Sequence, residues 1–241
     1  ASDFLTFLES YEKDTSQSVW ANIISSLTRL DSLLANQTFQ SAFHSYAKKL
    51  LARIAQRVGW IETVNGDDLE NLLRANVLLA LGSYGDETTL STASYKFAEY
   101  ISDRSAVPAN LRRTVFSLAA KRGDHSTYDL MWGLHAKTHL QEEKVRLLTG
   151  LSHFQQSELI EKTLDRSLTD RVRTHEAIGL IVRTAISSTG RALAWRFMKE
   201  NWEELYRRYG EGGFSLMYLV EITSGFSTTE DLEDVLKFFE N

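Results

Sequence analysis

Cysteine is absent from the sequence, so disulfides, thiolate nucleophiles and cysteine-ligated metal sites are excluded. Proline occurs once, at Pro108. It stands just after a turn, where it fits the first turn of a helix without losing a needed hydrogen bond. No apolar run approaches the roughly 18 residues that a membrane span needs, so the chain is expected to carry no membrane segment. Basic charge is not in excess: 27 Lys and Arg stand against 32 Asp and Glu, a net charge of −5. That mixture argues against the electrostatic footprint of phosphate-backbone binding, and no nucleic-acid partner is expected. The opening ASDFLTFLES lacks the basic start and apolar core of a targeting peptide. With the lack of cysteine, this fits a cytoplasmic location. No stretch rich in glycine, serine or proline separates one region from another, so residues 1–241 read as a single domain, and the chain is expected to begin partway through a longer polypeptide.

What is present is helical periodicity. Phe39, Phe43, Tyr46, Leu50, Ile54 and Val58 recur at steps of three and four, with Lys48, Lys49, Arg53 and Arg57 around them. This spacing predicts an amphipathic helix. The pattern returns in DDLENLLRANVLLALGSYG, SYKFAEYISD, PANLRRTVFSLAAKRG and QEEKVRLLTGLSHF, and no stretch alternates in the manner of a half-buried strand. Gly66-Asp67, Gly85-Asp86 and Gly123-Asp124 pair a glycine suited to a left-handed helix end with an aspartate suited to cap the next helix. Their separations of 19 and 38 residues suit a helix plus turn and a helical hairpin, close to the roughly 40 residues of armadillo and HEAT repeats. The expected fold is all-α, an α-solenoid of about a dozen helices in antiparallel pairs.

The search for chemistry is mostly negative. His175-Glu176 opens like the H-E-x-x-H zinc motif, but Gly179 stands where the second histidine belongs. His135 and His139 have i,i+4 spacing, yet a helix break is expected near them and no third ligand is evident, so both read as surface or helix-end histidines. Glu142-Glu143 and Glu203-Glu204 read as solvated helix faces. No nucleophile elbow, phosphate loop or dinucleotide fingerprint occurs. Asn36-Gln37-Thr38 is a glycosylation tripeptide of the kind that arises by chance. No catalytic, cofactor-binding or metal-binding residue is assigned in this chain. Within GRALAWRFMKENWEELYRRYG, at 190–210, Trp195, Trp202 and Tyr209 are spaced seven apart. On one continuous helix this spacing predicts a buried stripe, with Arg196, Lys199, Glu203 and Arg207 off it.

That segment, together with FSTTEDLEDVLKFFEN, resembles the C-terminal helical domain of zinc aminopeptidases of the puromycin-sensitive and endoplasmic-reticulum peptide-trimming type. LLRANVLLALGSYGD, PANLRRTVFSLAAKRGD and LQEEKVRLLTG resemble the same domain in the same order, from roughly Trp20 to Asn241. The resemblance implies a cover over a catalytic cavity that gates peptide substrates and does not cleave them. It implies the catalytic domain of the same polypeptide as partner, with zinc held there and no cofactor in this chain. It further implies that basic groups receive a peptide's terminal carboxylate, with Arg29 and Arg183 as candidates. The alternative is a stand-alone helical-repeat scaffold for a protein partner.

Overall fold

The computed structural model describes residues 2–35, 37–62, 67–211 and 214–240. Asn36 of the glycosylation tripeptide, Gly66, and Gly212 and Gly213 lie outside the described residues. Among those described, the chain forms fourteen α-helices and two short 3-10 helices, and no strand. The fold is all-α. It divides into two compact units, Ala1–Arg122 and Gly123–Asn241.

The first unit holds α1 (Ser2–Glu9), α2 (Gln17–Leu33), α3 (Gln40–Val58), α4 (Asp68–Ser83), α5 (Glu87–Ser102) and α6 (Ala109–Arg122). Apolar faces of α2, α3 and α4 meet around Trp20, Leu27, Ala47, Leu51 and Val77, all fully buried. The Trp20 indole N–H donates to the Asp14 carbonyl at 2.8 Å, so its one polar atom is satisfied inside the core. On α3 the expected face is buried at Phe43, Leu50, Ile54 and Val58. Tyr46 is half-buried and its hydroxyl donates to the Leu5 carbonyl at 2.6 Å. Phe39 departs from the pattern and is 52% exposed, because α3 begins one residue later and Phe39 is its N-cap. Arg74 on α4 is fully buried. Its Nε donates to the Val58 carbonyl at 3.0 Å, which sets a cation against the negative end of the α3 dipole.

The aspartates of the glycine–aspartate pairs do cap helices. Asp67, Asp86 and Asp124 accept hydrogen bonds from the backbone N–H groups of Glu70, Thr89 and Thr127 at 2.7, 2.9 and 2.9 Å, satisfying orphan donors of α4, α5 and the helix that begins at His125. The glycines divide. Gly85 takes φ of 80°, whereas the left-handed glycines among the described residues are Gly59 and Gly85, without Gly123. Helix α6 therefore ends without the left-handed glycine that the sequence suggests.

The second unit holds α7 (His125–Lys137), α8 (Gln141–Leu151), α9 (Ser157–Ser167), α10 (Thr174–Thr184), α11 (Ser188–Glu200), α12 (Trp202–Tyr209), α13 (Ser215–Val220) and α14 (Thr229–Phe239). The segment 190–210 is two helices rather than one. The backbone leaves helical geometry at Asn201, whose Nδ2 donates to the Phe197 carbonyl at 2.9 Å, so its side chain competes for the last carbonyls of α11 and closes that helix. The break divides the aromatic stripe. Trp195 and Tyr209 are buried, but Trp202 is only half-buried. Trp195 meets Phe226 and Phe238 with ring centroids at 5.8 and 5.4 Å, and its indole N–H donates to Asp234 Oδ2 at 2.6 Å. Trp202 meets Phe238 and Phe239 at 5.4 and 6.0 Å. Helix α14, started by a Thr228/Asp231 capping box, supplies Phe238 and Phe239, and Phe226 follows the second 3-10 helix.

Candidate functional site

Three residues of α10, His175, Gly179 and Arg183, recur at steps of four and so share one stripe of the helix. Ala177, Ile178, Leu180, Ile181 and Thr184 on the same helix are buried, which fixes the rotation of α10 and turns the stripe outward. The stripe floors a groove of about 570 Å³ that is also lined by Ile178, Val182, Tyr209, Ser215 and Tyr218. Tyr209 ends α12 and its hydroxyl donates to the Thr174 carbonyl at 2.7 Å, tying the end of α12 to the first turn of α10. Burial raises the pKa of that phenol, so it stays a neutral donor near neutral pH. Tyr218 on α13 is 56% exposed. It also borders a second concavity of about 650 Å³, lined with Phe214, Leu216, Met217 and Val220. The arrangement offers one guanidinium, one imidazole and aromatic edges beside an apolar ledge. This suits an extended ligand that carries both an anionic group and apolar side chains.

Arg183 is half-buried on the groove. Arg29, on α2 of the first unit, is exposed and belongs to a different unit. Arg191, Arg196, Lys199, Arg207 and Arg208 all have partners. Arg191 is buried and donates to the Gly225 carbonyl at 2.7 Å, Arg196 pairs with Glu161, and Lys199 pairs with Asp234 at 2.6 Å. Arg207 and Arg208 share Glu204 at 2.6 and 2.5 Å, which holds that carboxyl down at about 2.

The histidines do not fit a zinc site. Helix α7 ends at Lys137, leaving His139 beyond it and exposed, so the i,i+4 pair does not share a helix face. His135 is not a surface histidine: it is 4% exposed, stacked edge-on to Trp132 at 5.4 Å. Burial, with Lys144 adding to it, lowers its pKa to about 4. Among the described residues no three His, Asp or Glu side chains gather where a metal ion could be held. The acidic pairs split as well. Glu142 is solvated and pairs with Arg146 at 2.5 Å, but Glu143 is 2% exposed and meets the same part-buried Arg146 at 2.9 Å, so it is not on a wet helix face. Glu204 is engaged by its two arginines. The groove residues His175, Gly179, Tyr209 and Tyr218 were not assigned from sequence as a site. The step-of-four stripe on α10 was the available signal, but its partner α13 is brought opposite it only by the fold.

An all-α domain with an open groove on one helix stripe is the class that these features define. Residues 1–241 match the ERAP1-like C-terminal domain family over their whole length, and the chain belongs to that family. It is 27% identical to "Aminopeptidase M1" of Arabidopsis thaliana over 98% of this chain and 27% of the relative. It is 29% identical to "Glutamyl aminopeptidase" of Bos taurus over 92% and 23%. It is 28% identical to the "Thyrotropin-releasing hormone-degrading ectoenzyme" of Homo sapiens over 92% and 22%. The chain thus spans about a quarter of the length of these relatives. Among the described residues no helix is long and apolar enough to cross a membrane.

Proposed function

We propose that the chain is the C-terminal, substrate-gating domain of a zinc-dependent aminopeptidase that removes N-terminal residues from peptides. In this reading it covers the active-site cavity and does not itself cleave. The observation that carries the reading is the family match over residues 1–241, in a chain about a quarter as long as relatives named as aminopeptidases. In this reading zinc is held by the catalytic domain of the same polypeptide. The present residues bind and orient: the Arg183 guanidinium takes a peptide's terminal carboxylate by charge-assisted hydrogen bonds, and the ledge of Phe214, Met217 and Tyr218 takes apolar side chains. Arg29 is a second carboxylate-binding candidate in the first unit. An α-solenoid of HEAT-like repeats and a cytoplasmic location form part of the same proposal, and fractionation of the tagged full-length protein tests the latter.

The decisive experiment compares the 241-residue chain with the full-length protein on aminoacyl reporters and on peptides of graded length. The chain alone should show no zinc-dependent turnover. Deleting this domain from the full-length protein should change the dependence of cleavage on peptide length more than the cleavage of short reporters. Chelator-sensitive turnover by the chain alone would overturn the claim that it does not cleave. Unchanged length dependence after deletion would overturn the gating role and favour a scaffold.

A further inference from the structure

We infer that Gly179 is a positioning residue, keeping the floor of the groove open so that the Arg183 guanidinium lies back across α10 at the height where a ligand carboxylate meets it. The inference rests on the proposed carboxylate-binding role of Arg183. Gly179 stands near the middle of α10, in right-handed helical backbone rather than at a turn, so no positive φ requires glycine there. A glycine at such a position destabilises a helix relative to alanine, so its backbone freedom gives it no local advantage. The space beside it does. A Cβ built at position 179 would stand 3.0 Å from one terminal nitrogen of Arg183, and 3.5 Å from both its guanidinium carbon and its other terminal nitrogen. Those are the three nearest atoms, so the side chain of Arg183 occupies the volume that any larger residue would take.

A methyl group at 179 would have two effects. It would raise the groove floor between His175 and Arg183, and it would push the guanidinium outward by a few tenths of an ångström. The second motion costs the fold little, because it falls on the far end of a flexible side chain. It costs binding more, because a charge-assisted, two-pronged contact depends on the distance and plane of both nitrogens. Because alanine favours the helix more than glycine does, the substitution carries opposite signs for stability and for ligand recognition. A glycine kept merely for packing would not separate them in this way.

The test uses the 241-residue chain and one dye-labelled peptide made with a free terminal carboxylate and with a carboxamide, with affinity read by fluorescence anisotropy and stability by thermal unfolding. Wild type should favour the carboxylate form, and Arg183→Gln should lose about tenfold of that preference. Gly179→Ala should lose several-fold and Gly179→Leu should approach Arg183→Gln, both with melting temperatures no lower than wild type, since Ala and Leu are strong helix formers. If Arg183→Gln abolishes the preference while Gly179→Leu keeps it, the positioning role is wrong and the carboxylate reading stands. If Gly179→Ala lowers the melting temperature and leaves the preference intact, Gly179 is a packing residue and the inference fails. If Arg183→Gln leaves the preference of wild type unchanged, or wild type has none, the carboxylate reading falls and takes the inference with it.

Discussion

Replacing Trp195 and Trp202 separately with alanine tests whether the break at Asn201 truly divides the aromatic segment. Trp195 is 5% exposed and loses most with truncation. Its ring packs against Phe226 and Phe238, Lys199 Nζ lies 5.3 Å from its centroid, and its N–H is bonded to Asp234. A buried tryptophan cut to alanine costs about 3–5 kcal/mol. The lost bond adds little beyond that, because Asp234 is 43% exposed and keeps Lys199, so water can replace the indole donor. Trp202 is half-buried, and its loss removes contact with Phe238 and Phe239 along one side of the ring, which is worth about 1–2 kcal/mol. Urea unfolding followed by far-UV circular dichroism measures both. At an m-value of about 2 kcal/mol/M, the transition of the second unit should fall by about 1.5–2.5 M for Trp195→Ala and by less than about 1 M for Trp202→Ala. Equal shifts would refute the reasoning, because a single helix with a continuous buried stripe would make the two residues equivalent.

His135 should give the second unit a pH-dependent stability. Its folded pKa of about 4 lies below the ordinary 6.5, so the unfolded chain binds a proton that the folded chain refuses, and stability falls as pH drops from about 6.5 to 4. The full effect is about 3 kcal/mol, and His135→Gln should flatten it, with carboxylates cancelling in the comparison of the two chains; identical pH profiles would count against the buried neutral imidazole. Asp86→Ala removes the acceptor for both the Thr89 N–H and the Thr89 hydroxyl, at 2.9 and 2.7 Å, and should cost the first unit about 1 kcal/mol by thermal unfolding. Gly85→Ala should cost a similar amount, because φ of 80° is strained for a residue with a Cβ. Little or no change in either variant would mean that the turn between α4 and α5 does not depend on these contacts.

Much of this fold is written locally. Steps of three and four placed Phe43, Leu50, Ile54 and Val58 on the buried face of α3, and aspartates following glycines marked three helix starts, because a helix's periodicity and its orphan N–H groups are properties of adjacent residues. The pattern misleads where burial or a competing side-chain bond decides. His135 lies in the last turn of α7, as a helix-end histidine would, but it is buried rather than on the surface. Glu143 looked solvated because its burial depends on what lies across from α8. Trp202 was placed on a stripe that Asn201 interrupts, through a side-chain bond to a backbone carbonyl that competes with the helix ladder. Of the residues that line the groove, the family resemblance pointed to Arg183, and nothing local marks the others as its neighbours.

The sequence by itself determined that the chain is all-α, where three of its helices begin and which family it joins, because each depends on short-range pattern or on motifs in order. Only the tertiary structure decided that His175, Gly179 and Arg183 floor a groove, that Tyr209 and Tyr218 wall it, and that the space beside Gly179 is filled by a guanidinium. The contact of Gly179 with Arg183 lies within one helix, but the walls come from residues up to about forty positions away, brought there by packing of one helix against another; no local rule encodes which face will meet which.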